Sequence, residues 1–299
     1  MEDNKDYVKH YIHSKRDTLS QSSLTTYASV LKSLYKNCFG EGKVVFTKFD
    51  ETKKVLTHLK DIPPNRRKTI LSALVIITGE KEYRDQMLDD VRDYNKEIQK
   101  QEKTPEQEAN WIDGKQIKEV FDAVRADAVA LMKKKQHLKP AELQEIQNYI
   151  ILCVLSGVYI PPRRSKDYCD FKIKNIDENK DNYMKKKELV FNSYKTAKSY
   201  GEQRVTIEAP LTTILTNWSK INPTEWLLFD SNMNKLTPVK LNQRLNKIFG
   251  GKHIAVNQMR HTYLTEKYPE QIKKDKEQAD TMEEMGSSPS QLKTYIKKD

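Results

Sequence analysis

Three stretches of this sequence carry residues suited to phosphate chemistry. Pro161-Pro162-Arg163-Arg164-Ser165-Lys166-Asp167-Tyr168 places two arginines behind an apolar run. Ser193-Tyr194-Lys195-Thr196-Ala197-Lys198 places two lysines in a polar turn. The third begins at Asn257-Gln258-Met259-Arg260-His261 and reaches Thr294-Tyr295 on the last helical stretch. Arginine, lysine, arginine and tyrosine in that order form a set able to break a phosphodiester. Charge builds on a five-coordinate phosphorus, and the planar, permanently charged guanidinium suits its neutralisation. A nucleophile must attack in line, and arginine charge beside a phenol favours the phenolate. The departing oxygen must receive a proton, which a lysine or histidine can deliver.

The elements that carry these groups follow from periodicity. A helix is expected over 3–15. Ser20 then caps an amphipathic helix whose buried stripe is Leu24, Tyr27, Val30, Leu31, Leu34 and Cys38, closed by Gly40 and Gly42. A short helix follows over 50–60. Pro63-Pro64 breaks the chain and sets the start of a helix over 65–78 that Gly79 ends. A charged helix covers 80–102. Residues 1–102 therefore read as an all-helical domain. The polar stretch 103–110, with one proline, reads as a linker. In the second domain, 111–299, Asp113 caps a helix with Ile117, Val120, Phe121, Val124 and Leu131 on one face. Pro140 opens another that runs into an apolar segment ending at Gly157. Strand-like runs at 171–176, 188–192 and 203–207 predict a small antiparallel sheet. Helices return near 210–220, 238–249, 254–266, 276–285 and 289–296. The fold class is mainly α with a small antiparallel sheet.

The 299 residues fit about two domains. Hydrophobic content of 37% beside 32% charge allows a packed core and argues against wholesale disorder. Fifty-three basic residues against 42 acidic ones leave +11, which points to a polyanionic partner, nucleic acid first. The surplus is uneven. Residues 1–79 hold 14 basic and 8 acidic side chains, whereas 80–104 hold 6 and 8. A DNA face should therefore use Lys43, Lys53, Lys54, Arg66, Arg67 and Lys68, the last three at a helix N-terminal turn whose amides also face an anion. Cys38, Cys153 and Cys169 form no C-x-x-C pair, and with a polar N-terminus they predict reduced thiols in an intracellular protein. The apolar run 150–160 is too short for a membrane span. His10 and His13 have no companion ligands, so no metal is expected. No phosphate-binding G-x-x-x-x-G-K-[ST] loop occurs, which argues against ATP use.

With these motifs in this order the sequence resembles the tyrosine recombinases, the integrase class of site-specific recombinases. That resemblance implies a helical DNA-clamping core-binding domain followed by a catalytic domain of the DNA breaking-rejoining fold. The family's first arginine follows an apolar helix with an acidic residue three places on, as Arg164 and Asp167 do, with Arg163 the competing register and otherwise, like Lys198, counted among the residues that meet DNA. The Pro-Pro-Arg-Arg form looks most like recombinases of large eukaryotic DNA viruses, virophages and some eukaryotic transposons. From such a source the compartment would be the nucleus or a cytoplasmic viral factory. The family lysine lies in a hairpin between strands, which Lys195 matches, with Lys198 the alternative. Its second arginine lies in His-x-x-Arg, often followed by His. Arg260 and His261 fit, while Asn257 stands where the first His belongs. Ser287, after Gly286, stands in the usual His or Trp position, and Tyr295 in the nucleophile's. With those replacements, leaving-group protonation would fall more heavily on Lys195. The resemblance implies cleavage and rejoining of double-stranded DNA through a 3′-phosphotyrosine, without metal or ATP. It also implies self-association on DNA as a dimer or tetramer, and no membrane. Two rival readings are a type IB topoisomerase-like strand-passage enzyme and a DNA-binding protein of this fold without turnover.

Overall fold

Helices α1, Asn4–Lys15, and α2, Gln21–Phe39, begin the computed structural model, which describes residues 4–134 and 138–297. Asp3, the first residue of the helix expected over 3–15, lies outside the described residues. The Ser20 hydroxyl accepts from the Ser23 amide at 3.1 Å, satisfying a first-turn donor that has no partner within α2. After a 3-10 turn, Phe46–Asp50, come α3, Thr52–Leu59, α4, Pro64–Thr78, and α5, Lys81–Gln99. Pro64 opens α4, where its missing N–H is not needed, and Gly79 stops it at φ +77°.

These five helices belong to one compact unit, Met1–Glu102. Its core joins Val8, Ile12, Leu31, Phe49, Val55, Leu59, Leu71, Leu74 and Tyr83. Tyr83 is fully buried, and its hydroxyl donates to the Phe49 carbonyl at 2.5 Å. A buried tyrosine needs such a partner, because its unpaired hydroxyl would cost about 1–3 kcal/mol. Arg67 stands on the same stripe as Leu71 and Leu74 and turns inward. Its Nε and Nη2 grip Asp90 of α5 at 2.9 and 2.6 Å, and its Nη1 donates to the Lys60 carbonyl at 2.9 Å.

The second compact unit is Lys103–Asp299. Helix α6, Pro105–Asn110, occupies most of the stretch read as a linker. Thr104 and Gln107 cap it reciprocally, so polar bonds rather than apolar burial make it a helix. Helix α7, Gly114–Met132, is capped in the same way by Asp113 and Gln116. Helix α8, Pro140–Leu155, is buried on nearly every side from Ile146 onward, as an apolar core helix should be. Its Gln147 is fully buried and pairs both ways with Phe229, its amide donating at 2.9 Å and accepting at 2.8 Å. Then follow α9, Ser165–Cys169, β1, Phe171–Lys172, β2, Asn182–Lys185, β3, Glu188–Phe191, α10, Ala197–Tyr200, and β4, Gln203–Thr206. Helices α11, Ala209–Ile221, α12, Pro238–Ile248, α13, Val256–Lys267, and α14, Gln271–Glu284, lead to a 3-10 turn, Pro289–Gln291, and α15, Leu292–Tyr295. Trp218 of α11 stacks on Phe229 with ring centroids 5.9 Å apart, and its Nε1 donates to the Leu227 carbonyl.

The fold is mainly helical with a small sheet, as the sequence predicts, but the sheet differs from the expected antiparallel one. It has four strands in the order β1-β2-β3-β4. Strand β1 runs parallel to β2, with Phe171 opposite Asn182, while β2–β3 and β3–β4 are antiparallel. The strand missed was β2. Asn182 and Lys185 are poor strand formers, and Lys180-Asp181-Asn182 reads as a turn. Cross-sheet bonds from the Asn182 side chain hold it there instead. No described helix is long and apolar enough to cross a membrane. Cys153 and Cys169 are buried and Cys38 half-buried, all free, and burial pushes each thiol above its ordinary range.

The Arg67–Asp90 pair gives a test of this account. Asp90→Ala strands a guanidinium that is only 16% exposed and should cost about 3 kcal/mol in urea unfolding. Removing both charges with Arg67→Met and Asp90→Leu should recover most of that loss.

Candidate active site

Gly157 follows α8 at φ +85°, a left-handed conformation that disfavours side chains. A Cβ there would also stand 2.5 Å from Cδ2 of Tyr263 on α13. The missing side chain thus lets the chain leaving α8 lie directly on the helix that carries Arg260.

The two adjacent arginines are placed differently. Arg163 is drawn inward, its side chain 19% exposed. Its Nε donates to Asp167 Oδ2 at 2.9 Å, and its Nη1 to Gln203 Oε1 of β4 at 3.0 Å. Its guanidinium lies over the rings of Phe191 and Tyr194, 4.0 and 5.3 Å from their centroids. Arg164 is the residue before α9 and half-buried; its carbonyl accepts from the Asp167 amide at 3.0 Å, and its guanidinium makes no hydrogen bond or ion pair among the described residues. The two registers that sequence left open thus differ in their bonding: Arg163 has Nε and Nη1 engaged within the unit, and the Arg164 guanidinium has no partner among the described residues.

Asp167 is buried, and its Oδ1 has no hydrogen-bond partner. Burial pushes its carboxyl above the ordinary carboxylate range, against the opposing pull of Arg163, Arg164 and Arg260. All three arginines thus lie within electrostatic reach of one carboxylate, although Arg260 comes from a distant part of the chain. Arg260 is half-buried on α13, and its Nη1 contacts Asn257 Oδ1 at 3.4 Å, a long bond. Asn257 is exposed one turn earlier on that helix. His261, expected beside the site, is exposed, while Met259 and Thr262 face the core.

Lys195 lies in the connection between the antiparallel strands β3 and β4, exposed and with no bond of its own among the described residues. Lys198 is also exposed, on α10. Asn182, which sequence reasoning passed over, ties this connection to the arginine segment. Its Nδ2 donates to the carbonyls of Asp167 and Ser193 at 2.9 and 2.8 Å. Its Oδ1 accepts from the amides of Asn192 and Ser193 at 2.9 and 2.8 Å. No pattern in the sequence announces this, because an asparagine after Asp181 reads as turn chemistry. Gln203, which holds the far side of Arg163, was missed for the same want of a local signal.

At the C-terminal end, Gly286 closes α14 at φ +67°. The Ser287 amide bonds the Met282 carbonyl and the Gly286 amide the Glu283 carbonyl, both at 2.8 Å, which completes a Schellman closure. Ser287 is half-buried just beyond it. Tyr295 ends α15 with 55% of its surface exposed.

Among the residues expected to meet DNA, Arg67 is a correction. Its guanidinium is held by Asp90 and the Lys60 carbonyl, and helical spacing with Leu71 was the signal for its burial. Arg66, Lys43, Lys53 and Lys54 are exposed. Lys43 lies over Tyr7, Lys54 over Phe39, and half-buried Lys68 over Tyr94, at 4.1, 4.6 and 3.3 Å from the ring centroids. Arg163, counted with this set, has its donors committed inside the second unit.

No protein-family model matches the chain, and no curated protein matches it. Among solved structures it is similar to a crystal structure of XerA recombinase, at 11% identity and a TM-score of 0.36. That likeness covers 89% of this chain and 88% of the other. At such a score the assignment of function stays with the chain's own residues.

The division between the adjacent arginines is open to direct measurement. Arg163→Ala removes bonds to Asp167 and Gln203 and should lower unfolding stability by about 2–3 kcal/mol. Arg164→Ala removes no bond within the chain and should stay within about 0.5 kcal/mol of the parent. The opposite order in denaturant melts would assign the structural part to Arg164.

Proposed function

We propose that the chain is a tyrosine recombinase that cuts and rejoins duplex DNA through a phosphotyrosine. The observation that carries this reading is that Arg163 is bonded to buried Asp167, the charges of Arg164 and Arg260 also pull on that carboxyl, and the Lys195 connection is pinned to the same segment. A cluster with surplus guanidinium charge, built around a single buried carboxylate, is an anion site awaiting its anion.

In this reading Arg164 and Arg260 bind the non-bridging oxygens of one phosphate. Tyr295 Oη attacks phosphorus and gives its proton to solvent. The bond from phosphorus to the 5′ oxygen breaks, and that oxygen takes a proton from the Lys195 ammonium. The products are a 3′-phosphotyrosine and a 5′-hydroxyl, and a 5′-hydroxyl from a partner strand reverses the step. Asn257 and Ser287 donate hydrogen bonds to the phosphate rather than moving protons. Arginines supply the positive charge, so neither metal nor ATP enters the scheme. The helical unit would hold the DNA backbone through Arg66, Lys43, Lys53 and Lys54. Exchange between two duplexes requires more than one copy of the chain on the DNA.

The test is covalent trapping on a duplex selected for binding from a random-sequence pool, with sulfur at the 5′ bridging position and EDTA present. The parent chain should leave a protein–DNA adduct on a denaturing gel, and Tyr295→Phe should leave none. Arg164→Ala and Arg260→Ala should each slow adduct formation by at least about 100-fold. Binding without any adduct would favour a DNA-binding protein that lacks turnover, a reading to which Asn257 and Ser287 lend support because neither moves protons near neutral pH.

A further inference from the structure

Among the described residues Lys195 has no contact that fixes its ammonium, and it stands on a connection between strands. A lysine stem has several rotatable bonds, and a proton donor works only within about 2.6–3.2 Å of its acceptor. The backbone from which the stem starts must therefore be held in place relative to the phosphate. One side chain does this. Asn182 is fully buried, and both donors and both lone pairs of its amide are used. Three of its bonds go to Asn192 and Ser193, at the start of the Lys195 connection. The fourth goes to the carbonyl of Asp167, on the short helix that Arg164 precedes. The connection is closed further on by the Tyr194 hydroxyl, which donates to the Gly201 carbonyl at 2.7 Å.

We infer that Asn182 is a positioning residue for the proton donor: it fixes the Lys195 connection to the arginine segment, so that ammonium and guanidinium meet the same phosphate. This rests on the reaction proposed above. It adds that leaving-group protonation depends on a buried amide that touches neither substrate nor lysine.

Sulfur at the 5′ bridging position separates this role from a merely structural one. A thiol is far more acidic than an alcohol, so sulfur departs without a donated proton. Single-turnover cleavage would be followed on the selected duplex with oxygen or with sulfur at that position. Asn182→Ala should slow the oxygen substrate by about 100-fold and the sulfur substrate by less than about 3-fold. Lys195→Ala should show the same selectivity. Asn182→Asp, which keeps the acceptor for Asn192 and Ser193 but loses both donated bonds, to the Asp167 and Ser193 carbonyls, should show the same selectivity. The ratio of the two rates comes from one protein preparation, so partial unfolding cancels. Equal slowing of both substrates, or no slowing of either, would overturn the inference. Failure of the parent chain to cleave either substrate would instead remove the proposed reaction.

Discussion

The second unit's candidate site is built on one buried ion pair. Arg163 and Asp167 are four residues apart, mostly withdrawn from water, and bonded at 2.9 Å. Removing both charges from solvent costs several kcal/mol for each ion, and a single contact does not return that. The surroundings make up the difference. Phe191 and Tyr194 lie under the guanidinium, Gln203 takes a second donor, and the fields of Arg164 and Arg260 reach the carboxylate. Even so, burial dominates at Asp167 and leaves one oxygen without a partner. The pair is thus a poor source of stability and a strong source of geometry, because every group that compensates it must be in place together.

That requirement explains why distant stretches meet. Gln203 comes from β4, Phe191 from β3 and Arg260 from α13; the first two meet the Arg163 guanidinium and the third acts on the Asp167 carboxylate of the same pair. Gly157 supplies the other half of the arrangement by letting the chain after α8 lie against Tyr263. A methyl group there would meet both a left-handed backbone and an aromatic ring. The arginine segment and α13 are consequently brought together by an absence of side chain on one and a bulky ring on the other.

Much of this was legible in the sequence. Ser20, Asp113, Pro64, Pro140 and Gly79 mark helix ends through local chemistry, and the structure places helix ends beside each. The order of Arg164, Lys195, Arg260 and Tyr295 also needed no structure. What escaped depends on pairing across the fold. Which of two adjacent arginines is buried follows from Gln203 and Phe191, neither of which is a sequence neighbour. Asn182 looks like a turn residue until its partners arrive from β3 and α9. Arg67 shows the reverse, since its spacing with Leu71 and Leu74 marked it as inward-facing while its charge invited an outward reading. The fold is thus written largely in local signals. The site is written in long-range bonds to side chains that carry no signature of their own.

The distribution of one residue type makes the two units separately visible. All three tryptophans, Trp111, Trp218 and Trp226, belong to the second unit, and the helical unit has none. Trp218 is fully buried on Phe229, so its emission reports whether that core is packed. Indole fluorescence therefore follows the unit with the candidate active site, while far-ultraviolet dichroism averages over both. If the two signals part company during unfolding, the units melt independently, without any label having been attached.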